Sequence, residues 1–340
     1  MYFLLLCLVI LIICYALKLR NIILPTLLLI VVSAFRRYSS GVDVMNYYES
    51  YKYEMFTYGF NDIIKKFEPG WYLINIFVKN NLGDFRWIII LSSILSIAPI
   101  YFFYKRTSKL PILSLLLYFI LFYYFYSFSL IRQAIATSFF LISFYFYGER
   151  RFYKSAVYIF IAAMFHYSAL ALIPLILILD WIKISHKLKI YILVGSFIIG
   201  ASGILDSAAN LLVYLPFEKY ANYADFYGEV EFNRIANYLF LLPRTLICLY
   251  FFKIFEHNNS YKMNLTLTVF WMGVVLGNLF TKIPLFTRFI LFFTILETIL
   301  LVALIYEFPK SKRKIQSVIV LCYASLYFIY FVITNRYGAL

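Results

Sequence analysis

Apolar runs long enough to cross a bilayer follow one another along almost the whole chain, broken only by charged residues or proline, and no soluble fold buries that much hydrocarbon. The runs lie near 2–17, 22–35, 86–104, 112–130, 133–148, 190–206, 236–255, 263–281, 285–306 and 315–334. Apolar side chains make up 64% of the 340 residues, charged ones 14%, and mean hydropathy is +0.84, which excludes a soluble Rossmann or barrel enzyme. The pattern predicts an all-α fold: a polytopic integral-membrane helical bundle of about 10–13 segments, some short, re-entrant or broken, forming a single domain over 1–340. Chemistry then has to sit on loops or between helices. Residues 1–17 lack a basic leader and a small-residue cleavage site, so they are expected to be a retained first helix, with the mature chain starting at Met1.

Net charge is +15, but the longest basic cluster is Lys310 to Lys314, and cationic loops orient membrane helices without any need for nucleic acid. The turns holding Lys18/Arg20, Lys105/Arg106/Lys109, Arg150/Arg151/Lys154, Lys183/Lys187/Lys189, Lys253/Lys262 and Lys310/Lys312/Arg313/Lys314 together carry 17 basic residues. Only Glu149, Asp180, Glu256 and Glu307 oppose them, so that side is expected to be cytoplasmic. Two long loops, 36–85 and 207–235, then face outward. The segment 155–179 must cross an even number of times or turn back for Arg150/Arg151 and Lys183/Lys187/Lys189 to share a side. A break is therefore expected near Phe165 to Ser168, placing His166 at the outer turn. A single tilted helix with a packed core histidine is the alternative.

A charge at mid-depth costs about 2.5–3.5 kcal/mol, so arginines and acids near the outer ends of apolar runs are candidates for function. Arg36 and Arg37 end the second run, and Arg132 stands between the fourth and fifth. Arg244 follows Pro243, Arg288 opens the run at 285–306, and Glu297 lies deeper in that run. Guanidinium forks suit phosphate oxygens, so several arginines at one face suggest a lipid-linked phosphate or diphosphate. The competing reading is that they snorkel to headgroups or pair with Glu68, Asp84 and Glu297.

In loop 36–85, Gly41 permits a tight course that could bring Asp43 back towards the arginines, and Pro69-Gly70 signals a turn at Glu68. Either carboxylate could serve as a general base, although solvated loop acids are common. The aromatics of this loop, among them Tyr47, Tyr51, Tyr58, Phe60 and Trp71, fit an interfacial belt better than a sugar platform. Gly273 and Gly277 form a GxxxG that reads as helix packing. Cys7, Cys14, Cys248 and Cys322 form no metal or disulfide pattern, and no paired acidic DxD, P-loop, HExxH or GxSxG motif occurs. No metal or other cofactor is expected.

Along the chain come, in order, Arg36-x4-Gly41-x-Asp43-x3-Tyr47, Phe67-Glu68-Pro69-Gly70, Ile131-Arg132-Gln133-x-Ile135-Ala136, Phe165-His166-Tyr167-Ser168-Ala169-Leu170 and Pro284-x3-Arg288-Phe289. This order of features resembles that of the EpsG family of Wzy-like polysaccharide polymerases. It implies a bacterial plasma-membrane glycosyltransferase related to the GT-C-type O-antigen ligases and polymerases, joining repeat units carried on undecaprenyl pyrophosphate at the extracytoplasmic face. Such a family also implies the lipid bilayer and a chain-length regulator protein as partners. On that reading Arg36, Arg37, Arg132, Arg244 and Arg288 are the pyrophosphate-binding candidates, with Arg132 and Arg288 foremost, and Asp43, Glu68 and His166 are the catalytic candidates. Which of Arg36 and Arg37 faces the site stays open. A flippase of lipid-linked oligosaccharides would also gather arginines near a pyrophosphate, and a membrane acyltransferase would put His166 in charge.

Overall fold

A computed structural model describes residues 2–19, 21–56, 66–181, 184–205, 234–280 and 284–334, and every regular element in them is helical. The expected outer loop 207–235 falls almost wholly outside the described residues, as do Tyr58, Phe60 and Lys183. The chain is a polytopic membrane helical protein. Three described helices are long and apolar enough to cross a bilayer, Arg86–Thr107, Tyr261–Phe280 and Lys310–Ile333; a fourth candidate is a bent pair, and shorter apolar helices accompany them. The chain divides into two compact units, Met1–Ile178 with Glu297–Leu340, and Leu179–Leu296.

In the first unit α1 (Tyr2–Ala16) and α2 (Ile23–Ala34) are followed by the short α3 (Val44–Glu49), which runs on as one π-helical turn, Ser50–Glu54. Next come α4 (Pro69–Asn81), α5 (Arg86–Thr107), α6 (Pro111–Ile120), α7 (Tyr123–Ser129), α8 (Ile131–Gly148) and α9 (Phe152–Phe165). The centre is α8, packed against both α5 and α9, with α2 on the far side of α5. Buried serines stitch these contacts: Ser33 to Ser93 at 2.8 Å joins α2 to α5, the Ser138 hydroxyl donates to the Leu95 carbonyl at 3.0 Å, and Ser143 meets Ser155 at 2.9 Å. Small polar residues let membrane helices approach closely and satisfy one another where no water is available. Because α5 and α8 run parallel while α2 and α9 run against them, the C-terminal ends of α2 and α9 and the N-terminal ends of α5 and α8 share one end of the unit. The basic turns at Lys105/Arg106 and Arg150/Arg151 lie at the other.

Two expected single crossings are broken. The run 112–130 splits into α6 and α7, bent by 53°. Phe122 holds the corner with φ 68°, a left-handed conformation that costs a non-glycine residue about 1–2 kcal/mol. Its ring is held at 4.5 Å from Phe125 and 4.7 Å from Phe331, contacts that offset the strain. The run 285–306 divides into α14 (Pro284–Phe289), α15 (Leu291–Thr294) and α16 (Glu297–Glu307), and the boundary between the two units falls at its second break. Continuous apolar sequence carried no sign of either interruption. The last helix is α17 (Arg313–Thr334).

In the second unit α11 (His186–Ser202), α12 (Arg234–Phe255) and α13 (Tyr261–Phe280) pack together. Ser185 caps α11 by accepting from the Leu188 N–H, and Gly203 ends it with φ 79°. Asn278 on α13 accepts from Thr245 at 3.2 Å and donates to Ser196 at 3.3 Å, linking all three helices. The GxxxG is structural, as read: a Cβ on Gly273 would collide with the Phe293 side chain, and one on Gly277 would press Ile290 at 3.3 Å.

Candidate active site

The helix expected to break near 165–168 does so at His166. That residue leaves α9 with φ −157° and ψ 112°, and a 3-10 turn, Tyr167–Ala171, leads into α10 (Leu172–Trp181). The His166 N–H still donates to Ala162 O at 3.0 Å, and its carbonyl accepts from Ala169 at 3.0 Å, so the break leaves both backbone groups satisfied. The imidazole is thereby fixed at the end of α9, with its side chain 27% exposed.

Glu68 reaches it from α4. Pro69 occupies the first helical position, where its missing N–H costs nothing, and Glu68 before it is extended, with its side chain making no capping bond. Gly70 allows the approach: a Cβ there would lie 2.9 Å from the Met164 carbonyl and 3.0 Å from the Met164 Cβ, so only glycine lets α4 close on the last turn of α9. Glu68 Oε1 then sits 3.2 Å from His166 Nδ1, and Oε2 is ion-paired with Arg132 Nη1 from the first turn of α8. The Glu68 side chain is 9% exposed and that of Arg132 26%, so a buried carboxylate braces two partly open groups. Burial pushes the Glu68 carboxyl up, but the His166 hydrogen bond and the Arg132 charge outweigh it and hold the group at about 2.

Tyr47 adds to this cluster. The Arg132 guanidinium lies 5.5 Å from the Tyr47 ring centre, and Tyr47 packs on the buried Trp71 at 5.2 Å. The sequence assigns Tyr47 to an interfacial belt, whereas here it lies against the site; the Asp43-x3-Tyr47 spacing, one helical turn, was the available signal. Asp43 stands at the start of α3, half-buried, its carbonyl accepting from the Tyr47 N–H at 3.2 Å. Its loop is docked on the end of α7: Gly41 takes φ 123° where a Cβ would strike the Phe128 carbonyl, and the Val42 N–H donates to Ser129 Oγ at 3.1 Å.

The adjacent arginines separate clearly. Arg36 is buried, with Nη1 donating to Ser33 O at 2.6 Å and Nη2 to Ser127 O at 3.3 Å, and its guanidinium lies 4.8 Å from the Phe128 ring centre. Arg86 Nη1 donates to Arg36 O at 2.6 Å. These two arginines serve the open carbonyls at the end of α2, a cation's usual place at a helix C-terminus, so the expected phosphate role of Arg36 gives way to a structural one. Burial draws Arg36 down to about 10, which leaves it charged. Arg37 is exposed.

Glu297, read as a partner for the arginines, is fully buried and accepts from Tyr123 Oη at 2.6 Å and Tyr323 Oη at 2.7 Å. Asp84 caps the start of α5 through the Arg86 N–H at 2.8 Å. Arg244 and Arg288 belong to the second unit, Arg244 buried in α12 and Arg288 half-buried at the end of α14. Among the described residues no three of His, Cys, Asp or Glu cluster as metal ligands.

An ionised carboxylate only accepts, so the His166 nitrogen facing Glu68 must carry the hydrogen, and Nε2 of the neutral ring keeps its lone pair for a substrate proton. Arg132 gives one nitrogen to Glu68 and also hydrogen-bonds the Tyr47 side chain; with the side chain 26% exposed, part of its fork stays open to an oxyanion. The arrangement can take a proton and steady a developing negative charge in one place. The EpsG family profile matches residues 19–339 of the chain. Comparisons with curated proteins and with solved structures gave no match.

Proposed function

The chain belongs to the EpsG family, a Wzy-like polymerase family, and on that premise we propose that it is a glycosyltransferase polymerising undecaprenyl-pyrophosphate-linked oligosaccharide repeat units at the extracytoplasmic face of the bacterial plasma membrane. The observation that carries the reading is the Glu68 carboxylate bridging Arg132 and His166 at one end of the first unit. The basic turns at the opposite end support an outward-facing cluster.

In the proposed reaction an acceptor hydroxyl attacks the anomeric carbon of the donor glycan. Its proton passes to His166 Nε2 as the new C–O bond forms, and the bond to the diphosphate breaks with its electron pair on the leaving oxygen. Arg132 stabilises that charge, with Arg37 as a further candidate ligand in the same unit. In a poorly solvated site one preorganised donor of this kind contributes about 2.7–4 kcal/mol. Glu68 stabilises the imidazolium and fixes its orientation without touching substrate, so it is a positioning residue. The proton then leaves to solvent, returning neutral His166 and free undecaprenyl pyrophosphate. Asp43 keeps a candidate place near the acceptor through its loop on α7.

Purified protein in nanodiscs, given short lipid-linked repeat units and no nucleotide sugar, tests this. Longer glycans accompanied by released undecaprenyl pyrophosphate are expected. Movement of the units across the bilayer without elongation would favour a flippase and reject the reading.

A further inference from the structure

An apolar cavity of about 170 Å³ opens in the first unit between α8, α9 and the start of α10, lined by Phe144, Tyr147, Ala156, Ile159, Ile173 and Leu177 among others. Its two serine hydroxyls are spent on each other's segment: Ser143 Oγ donates to Ser155 O at 2.8 Å and lies 2.9 Å from Ser155 Oγ. The surface it offers a ligand is almost wholly apolar. Ile173 and Leu177 on its rim are 39% and 51% exposed, so the groove is open along helices that lie in hydrocarbon.

The walls belong to the same helices that carry the catalytic cluster. Measured along α9, Ile159 is about 10 Å below His166, and along α8 Ser143 is about 16 Å from Arg132. A polar cluster at one end of a helix pair and an apolar groove about two to three turns beneath it match a lipid with its head at the first and its tail in the second. We propose that this groove holds an isoprene unit of the polyprenyl tail whose diphosphate Arg132 binds, an inference that rests on the proposed function. A cavity of about 150 Å³ accepts a benzene-sized group, so this one takes roughly one branched five-carbon unit. A free phospholipid acyl chain gains little by leaving equally apolar bilayer for the groove. A tail whose head is already bound above is delivered there at high effective concentration.

The test places the photocrosslinker p-benzoylphenylalanine at Ile173, at Leu177 and, as a bilayer-facing control, at Ile329 on α17, which is 54% exposed. Each variant is irradiated in phosphatidylglycerol nanodiscs containing undecaprenyl diphosphate, and the adducts are weighed by mass spectrometry. The ratio of polyprenyl to phospholipid adduct at Ile173 and Leu177 is expected to exceed that at Ile329 by about fivefold or more, an advantage of roughly 1 kcal/mol. Adding Arg132→Gln should bring it down to the control value. Equal ratios at all three positions overturn the groove assignment, as does an enrichment indifferent to Arg132→Gln. Enrichment in a protein that never elongates glycans leaves the groove standing and removes the polymerase reading; elongation with equal ratios does the reverse.

Discussion

Glu68→Gln isolates what the bridging carboxylate does. The substitution keeps size and one carbonyl oxygen, which can still accept from Arg132. The other position becomes an amide N–H facing His166 Nδ1, 3.2 Å away in the wild type, and a donor there selects the tautomer in which Nδ1 accepts and Nε2 carries the hydrogen. Nε2 then has no lone pair for the acceptor hydroxyl, and the imidazolium loses its counter-charge. General-base catalysis of this kind is worth about 10²–10⁴-fold, so kcat for elongation should fall by roughly 10³ at neutral pH. Binding of undecaprenyl pyrophosphate should change by less than about threefold, because Arg132 keeps an acceptor and most of its donors. Single-turnover elongation in nanodiscs, with separately measured binding, gives both numbers. A Glu68→Gln enzyme turning over within threefold of wild type would refute the tautomer argument; equal losses in binding and turnover would mean that the carboxylate only holds the fold.

Further expectations concern neighbouring residues. Gly70→Ala should drive α4 away from Met164, costing about 1–3 kcal/mol and lowering kcat through the lost Glu68–His166 contact, readable as a fall in both melting temperature and elongation. Arg36→Gln should lower thermal stability by leaving buried carbonyls poorly served, at about 1–3 kcal/mol, while each folded molecule elongates within threefold of wild type. Because the Glu68 carboxyl is held at about 2 against 4.5 ordinarily, the stability it contributes, on the order of 3 kcal/mol, is fully present above pH 4.5 and lost as pH falls towards 2. Acid unfolding of wild type and Glu68→Gln in detergent should therefore converge only at the acid end. Glu297→Ala should be severely destabilising, since it strips the Tyr123 and Tyr323 hydroxyls of a buried acceptor.

The break at His166 was legible because positive-inside bookkeeping leaves no other way to put Arg150/Arg151 and Lys187/Lys189 on one side. Glu68 was legible through Pro69-Gly70, whose turn chemistry is local. Arg36 was not: its burial depends on Ser93 and Ser127, 57 and 91 residues away, and nothing local distinguishes it from exposed Arg37. The corner at Phe122 and the breaks within 284–307 were equally silent. Aromatic stacking from α17 holds the first, and neither uses a glycine or proline at its corner. Nothing in the sequence ranks Asp43, Glu68 and His166; the burial of Glu68 between two partly exposed partners is the reason the proposed reaction makes His166 the base and Glu68 its positioning residue.

The central claim is that Glu68 acts through His166, and a double-mutant cycle on the elongation rate measures that coupling directly. With Glu68→Gln, His166→Asn and the pair compared in nanodiscs, the double variant should be no slower than His166→Asn alone, because the carboxylate has nothing left to position. Losses that multiply would show two independent contributions and contradict the account.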